Sequence, residues 1–308
     1  MADLSDRSSG VAASASSVES RSDWPALAAG LVTVALWGSA FVGIRAAGSS
    51  LSPGSIALGR LLVSSAILLA VALLRRESIP RGRALALIAA YGVLWLGVYS
   101  ITLNAAERLV DAGTAAMLIN TGPLLIAILA GLFLREGFPP GLLAGCAVAF
   151  VGCVAIGFAT THTASRGALG ILLCIVAAVA YASAVVVQKL ALATASSFQV
   201  TWLGVAAATI ACVPFAPALA GEVSMASASS ILWTIYLGAF PTALGFATWS
   251  FALRRGSAGR TGSLNYLIPV VAIVLGWAVL GEAPPWLALA GGALCVAGVY
   301  LARRRPSR

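Results

Sequence analysis

Charge is what this sequence has least of. Only 9% of its 308 residues are Asp, Glu, Lys or Arg, while 60% are hydrophobic; an ordinary globular domain carries roughly a quarter charged residues. At a mean hydropathy of +0.98 there is no polar shell to wrap around a water-soluble core, so lipid must be the solvent for most of the surface. Histidine is almost missing, with His162 alone, and the five cysteines (Cys146, Cys153, Cys174, Cys212, Cys295) lie singly inside apolar runs without a CxxC pair. A zinc site therefore lacks ligands, and neither a disulfide nor a cofactor is expected. No nucleophile with its base and no paired carboxylates stand in a pattern that hydrolysis or group transfer needs, which argues against an enzyme. A channel filter or charged ring is missing too. The net charge of +9 sits in short basic clusters between apolar runs, which is not a nucleic-acid footprint.

Apolar segments of about 18–22 residues are what the chain does have, each long enough to cross a hydrocarbon core of ~30 Å as a helix. They fall near 25–44, 55–74, 84–103, 112–133, 141–160, 168–187, 198–217, 230–252, 261–280 and 285–302. The expected fold class is thus all-α integral membrane, with ten transmembrane helices. Residues 1–23, rich in Ser and Ala, read as a disordered cytoplasmic tail, and 303–308 as a basic cytoplasmic tail. With the N-terminus inside, Arg75, Arg76, Arg81, Arg83, Arg135, Lys189, Arg254, Arg255, Arg260 and the final arginines share the cytoplasmic side. The other side receives only Arg45, Arg60, Arg108 and Arg166. The positive-inside rule then puts both termini in the cytoplasm of a multi-pass protein of the inner (plasma) membrane.

The chain also resembles itself. A shift of 146 lays Pro123 on Pro269, Glu136 on Glu282, Pro139 on Pro285, Gly145 on Gly291 and Gly152 on Gly298. Thr102 and Thr248, Arg108 and Arg254, and Ala112-Gly113 and Ala258-Gly259 match in the same register. A shift of 144 lays Trp37-Gly38-Ser39-Ala40 on Tyr181-Ala182-Ser183-Ala184 and Arg45 on Lys189. Two units follow, 24–160 and 168–302, each with an odd number of spans, so the second must enter the membrane upside down. Inverted repeats of this kind place a substrate site at the midplane, between the halves.

These residues carry a family resemblance. The opening ALWGSAFVGIRAA (35–47), Pro123 with Leu134-Arg135-Glu136, and Pro269 with Leu280-Gly281-Glu282-Ala283-Pro284 resemble the EamA-type exporters of the drug/metabolite transporter superfamily. The resemblance spans about 24–302. It implies a basket-like bundle with the fifth and tenth helices peripheral, the others lining a cavity, and export of amino acids, other metabolites or drugs. The glutamates lie at helix ends and are not assigned substrate contact.

A cavity for a small polar molecule needs a few polar groups and aromatic walls. Tyr91, Trp95 and Tyr99, spaced by four, make one stripe on the third helix; an interfacial belt is the competing explanation, but belts gather at helix ends. Trp37 and Ser39 are echoed by Tyr181 and Ser183, with small-residue packing as the alternative for the serines. Asn120 precedes Pro123, and Asn265 with Tyr266 precedes Pro269. Each proline would kink its helix and free a carbonyl for water or a substrate amine, unless the asparagine only ties the kink down. Thr248 and Trp249 are weaker candidates that packing also explains. Arg60 is the charge nearest a membrane interior and suits a substrate carboxylate, with snorkelling to the headgroups as the alternative. Glu107, Asp111, Glu136 and Glu282 fall at span ends or in loops, which favours exchange or export without an obligatory proton.

The expected function is a carrier that exports or exchanges small organic metabolites, amino acids foremost, by alternating access. The alternative, efflux of drugs or hydrophobic cations, would call for a carboxylate facing aromatic rings. A small-molecule substrate and the lipid bilayer are the expected partners, for a monomer or homodimer: Gly141, Gly145, Gly291, Gly292 and Gly298 could serve internal packing or dimerisation.

Overall fold

The structure, a computed structural model, describes residues 24–106, 109, 118–160, 168–280 and 285–304. The expected tail 1–23, the last four residues, and Glu107, Arg108, Asp111, His162, Arg166 and Glu282 lie outside the described residues. Every regular element among the described residues is a helix. In chain order these are α1 Trp24–Ala47, α2 Pro53–Leu74, α3 (83–106), α4 Gly122–Phe133, α5 Pro140–Thr160, α6 Ala168–Ala191, α7 (197–223), α8 Ala228–Arg255, α9 (258–280) and α10 Trp286–Arg303. Eight are long and apolar enough to span a membrane, or nine when the two parts of α7 count as one span. The described part of α4 is apolar but shorter, so the expected count of ten stands between those eight or nine and this shorter helix.

Inside lipid every backbone N–H and C=O needs an internal partner, which is why these apolar runs become helices. The exposed first turns are closed by side chains instead. Ser52 caps α2, Ser196 and Gln199 form a capping box on α7, and Ser227 and Ser257 cap α8 and α9. Where one span was expected near 198–217, α7 bends by 51° between Ser197–Ala211 and Val213–Val223. Pro214 has no N–H to continue the ladder, and its ring crowds the preceding turn.

Two helices change pitch in mid-course. Helix α3 passes from α-helix (Arg83–Gly92) through a π segment, Val93–Tyr99, and back to α over Ser100–Ala106. Helix α8 does the same through Gly238–Leu244, with Pro241 inside the widened turn.

The main packing pairs recur when each helix is exchanged for the one five places along. Helix α1 lies against α8 and α9 as α6 lies against α3 and α4; α2 lies against α8 as α7 lies against α3. The pairs α2–α7, α4–α9 and α5–α10 each join a helix to its own counterpart. Pairing of α5 with α10 depends on missing side chains: a Cβ on Gly152 would meet Gly291 O at 2.5 Å, and one on Gly298 would meet Gly145 O at 2.6 Å. Gly145, Gly152, Gly291 and Gly298 are thus used within the chain, in the small-residue close approach common between membrane helices.

The two ends of the bundle are tied differently. At the basic end, Glu136 accepts from the backbone N–H groups of Ala258 (2.7 Å) and Gly259 (3.2 Å) at the start of α9. Lys189 donates to Leu253 O (2.5 Å) and Gly256 O (2.6 Å) at the end of α8. Each charge meets the helix terminus whose dipole it complements. At the opposite end Glu222 accepts from Ser52 N at 2.7 Å, and Ser49 meets Ser230 at 3.0 Å.

Candidate functional site

The centre of the bundle is aromatic, and Trp95 is its hub. The π segment of α3 carries this indole into contact with rings from four elements. Trp37 of α1 lies 5.7 Å away, Tyr91 of the same helix 6.1 Å, Tyr181 of α6 5.0 Å, and Phe246 and Trp249 of α8 5.2 and 5.7 Å. Trp37 in turn touches Phe246 (5.0 Å) and Trp249 (5.4 Å), and Tyr99 lies 5.7 Å from Tyr181. Most of these pairs are tilted or edge-to-face, the arrangement ring quadrupoles favour. The stripe on α3 is therefore no interfacial belt: Tyr91, Trp95, Tyr181, Phe246 and Trp249 are all buried.

The polar edges of these rings are held. Trp37 Nε1 donates to Pro241 O at 3.0 Å, and Trp249 Nε1 donates to Gln188 Oε1 at 2.9 Å. Gln188 Nε2 donates to Ser250 Oγ (3.0 Å), which also receives Thr201 Oγ1 (2.8 Å). Asn265 Nδ2 donates to the Tyr181 hydroxyl, while Asn265 Oδ1 is buried with no partner among the described residues. Room for the Tyr181 ring comes from Gly122, whose Cβ would sit 2.5 Å from Tyr181 Cδ1.

Arg60 lies seven residues into α2, roughly 10 Å along the axis at ~1.5 Å per residue. Its Nε donates to Thr242 Oγ1 at 2.8 Å, and the Tyr99 phenol is within electrostatic range. Among the described residues no carboxylate touches it. A guanidinium at this depth is a costly group to hold without a counter-ion.

Towards the end away from the basic cluster, a cavity of about 660 Å³ opens between α1, α8 and α9. Its lining is Ser39, Val42, Ser229, Leu232, Trp233, Tyr236 and Leu275. Ser39 Oγ and the Tyr236 hydroxyl are hydrogen-bonded at 2.7 Å.

Of the residues singled out by sequence, the structure brings Trp37, Tyr91, Trp95, Tyr99, Tyr181 and Trp249 into one aromatic cluster, with Asn265 bonded to it. Ser39 lines the outer cavity instead. Ser183 is half-buried. Two residues sit elsewhere. Tyr266 is buried in a separate apolar cluster with Val34, Leu142, Cys146 and Val299, because the turn that carries it faces α5 and α10. Thr248 is spent on α1, bonded to Thr33 at 2.8 Å and to its own helix at Leu244 O and Gly245 O. Asn120 is half-buried in the turn before α4. Pro123 and Pro269 each stand just after an irregular turn, at 120–121 and in the 3-10 segment Leu264–Leu267, within the first helical turn that follows. There a missing N–H costs nothing. Phe246, Gln188 and Thr242 were missed. A glutamine in an apolar span and a proline in mid-span at 241 were the available signals.

Comparison with known proteins agrees with this architecture. The EamA-like transporter family matches twice, over residues 24–158 and 168–304. A protein of Streptantibioticus cattleyicolor named as a probable terminal-alkyne amino-acid exporter is 36% identical over 275 residues, which cover 89% of this chain and 92% of that protein. A protein of Salmonella typhimurium named as a probable amino-acid metabolite efflux pump is 27% identical, covering 88% and 92%. A solved crystal structure superposes with a TM-score of 0.74 at 20% identity, over 90% of this chain and 96% of that one, and shows the same fold. Twice matched across its helical length, this chain belongs to the EamA-like transporter family.

Proposed function

We propose that this membrane transporter exports or exchanges amino acids, by alternating access at the seam between its two five-helix units, 24–160 and 168–302. Both termini then face the cytoplasm. The basic end, with Arg83, Arg135, Lys189, Arg254 and Arg260, is the cytoplasmic end, and the cavity at Ser39 and Tyr236 opens outward.

One observation carries the choice of substrate. Arg60 holds a permanent positive charge inside the bundle, beside an aromatic cluster, and no protein carboxylate among the described residues neutralises it. A carboxylate-bearing solute with an apolar body answers both features: its charge meets the guanidinium and its body meets the rings around Trp95. A hydrophobic cation would be repelled by Arg60, although the rings alone suit it. The names of the Streptantibioticus and Salmonella relatives point to the same solute class.

The test is counterflow in liposomes. Purified protein is loaded with unlabelled solute and challenged with labelled amino acids or with lipophilic cations. Trans-stimulated uptake of an amino acid, lost in Arg60→Gln and reduced in Trp95→Ala, is the expected result. Uptake confined to cations, or an Arg60→Gln protein that transports normally, overturns the proposal. With no acidic residue at the centre of any span, the rate is expected to be indifferent to an imposed pH gradient at fixed substrate.

A further inference from the structure

A regular α-helix would direct the Leu237 carbonyl at the nitrogen of Pro241, which carries no proton. In the widened turn Gly238–Leu244 the π spacing turns that carbonyl toward the residue five places on, and the side chain of that residue bonds it as well: Thr242 Oγ1 donates to Leu237 O at 2.8 Å. A hydroxyl has one proton and two lone pairs. With the proton committed to Leu237, the oxygen can only accept, and it does so from Arg60 Nε at 2.8 Å. The relay thus has a fixed direction, from Arg60 to Thr242 to the Leu237 carbonyl. Thr242 is fully buried, so no water competes for either bond.

The same turn makes two further contacts with the site. Gly238 lets α2 lie directly on α8, since a Cβ there would stand 2.7 Å from Arg60 O and 2.6 Å from Val63 Cβ. Pro241 O accepts the indole N–H of Trp37. A single irregular turn therefore sets the backbone from which Arg60 springs, the inner nitrogen of its guanidinium, and one wall of the aromatic cluster. Binding through Nε fixes the plane of the guanidinium and leaves its two terminal nitrogens for another acceptor. That outer edge matches a planar carboxylate in a two-point pairing. An arginine not held in this way would extend toward the headgroups.

We propose that Thr242 is the positioning residue of a carboxylate subsite on Arg60, and that the transporter recognises its solute by that carboxylate. This rests on the amino-acid reading above and goes further by naming the group recognised and the residue that aims the guanidinium. Thr242 acts through Arg60 and does not itself touch the solute.

The experiment compares Thr242→Val, Thr242→Ser and Arg60→Gln with the unaltered protein in liposomes. The best-carried labelled amino acid is the probe, and the amine lacking only its carboxylate is the competitor. For Thr242→Val, the half-saturation concentration for the amino acid is expected to rise about tenfold, near 1.4 kcal/mol. Inhibition by the amine should stay unchanged, and Thr242→Ser, which keeps the hydroxyl, should restore the original value. If Thr242→Val does not fold, Thr242→Ala reads the same loss without the added methyl. A Thr242→Val protein with unaltered half-saturation, while Arg60→Gln is impaired, overturns the positioning role and leaves the role of Arg60 standing. An Arg60→Gln protein that carries the amino acid normally overturns the amino-acid reading and this inference together. A drop in maximal rate, with amino acid and amine affected alike, would show the turn to be a hinge and also overturn the proposal.

Discussion

Helices α3 and α8 hold the same place in the two repeats, and both widen into a seven-residue π segment at its middle, Val93–Tyr99 and Gly238–Leu244. Under the shift of 146, Gly92 falls on Gly238, Trp95 on Pro241, Leu96 on Thr242 and Tyr99 on Gly245. The backbone device is duplicated while its chemistry is not. In α8 the proline explains the widening locally, and Thr242 bonds the Leu237 carbonyl. Helix α3 has no proline, and its widened segment follows a close approach to α7, where a Cβ on Gly92 would stand 2.2 Å from Gly204 O. One π segment presents the aromatic hub and the other holds Trp37 and Arg60. Gly204 corresponds to Arg60 under the shift of 144, and the Tyr91 ring lies over it, 2.3 Å from where a Cβ would be. The duplicated frame therefore keeps a cation on one side only, which suits a solute that is charged at one end and apolar at the other. Such turns recur at functional positions in helices.

The largest expected effect on stability is on the aromatic side. Trp95→Ala should lower stability by ~3–5 kcal/mol, the cost of truncating a buried tryptophan, read as a lower unfolding temperature in detergent, and should reduce the counterflow rate per folded molecule. Trp95→Phe should keep most of the rate. Equal loss in both variants would mean that the indole edge, and not the ring's bulk, is what the site uses.

The matched glycines separate the two π segments next. Overpacking at Gly92→Ala and Gly238→Ala should each cost ~1–3 kcal/mol of stability, read as a lower unfolding temperature in detergent. Only Gly238→Ala should also raise the half-saturation concentration, because only there does the new methyl push on the backbone of Arg60. A shared effect on half-saturation would break the proposed division of labour.

Smaller effects are expected away from the centre. Glu136→Ala removes two hydrogen bonds from the start of α9, with a cost of ~1 kcal/mol as for loss of a helix N-cap. Amide hydrogen exchange over 256–263 should rise while that over 49–55 at the opposite end stays as it was. Ser183→Ala should change stability and counterflow least, within ~0.5 kcal/mol, as its half-buried side chain has no hydrogen bond among the described residues.

Much of the site was legible because helical periodicity is local. Tyr91, Trp95 and Tyr99 had to share a face at their spacing, and Trp37 and Tyr181 announced each other through the repeat. Tyr266 misled for the opposite reason. It adjoins Asn265 in sequence, but successive residues on a helical turn point in different directions: Asn265 bonds Tyr181, while the Tyr266 ring packs among Val34, Leu142 and Val299. Thr248 was taken up by Thr33, a partner 215 residues earlier in the chain that no local pattern foretells. The bend in α7 was written in Pro214, but an apolar run does not say whether a proline will end a span or bend it.

By itself the sequence determined that this is a multi-pass membrane chain, that it is helical, and that its halves resemble one another. Each of these follows from composition, from run length, or from residues that recur at a fixed shift. Tertiary structure alone decided which polar groups face one another. It set Thr242 between the Leu237 carbonyl and the guanidinium of Arg60, from a helix 182 residues away along the chain. The hydrophobic pattern is a one-dimensional property, while a buried hydrogen bond depends on distance and angle between segments whose separation in sequence carries no record of either.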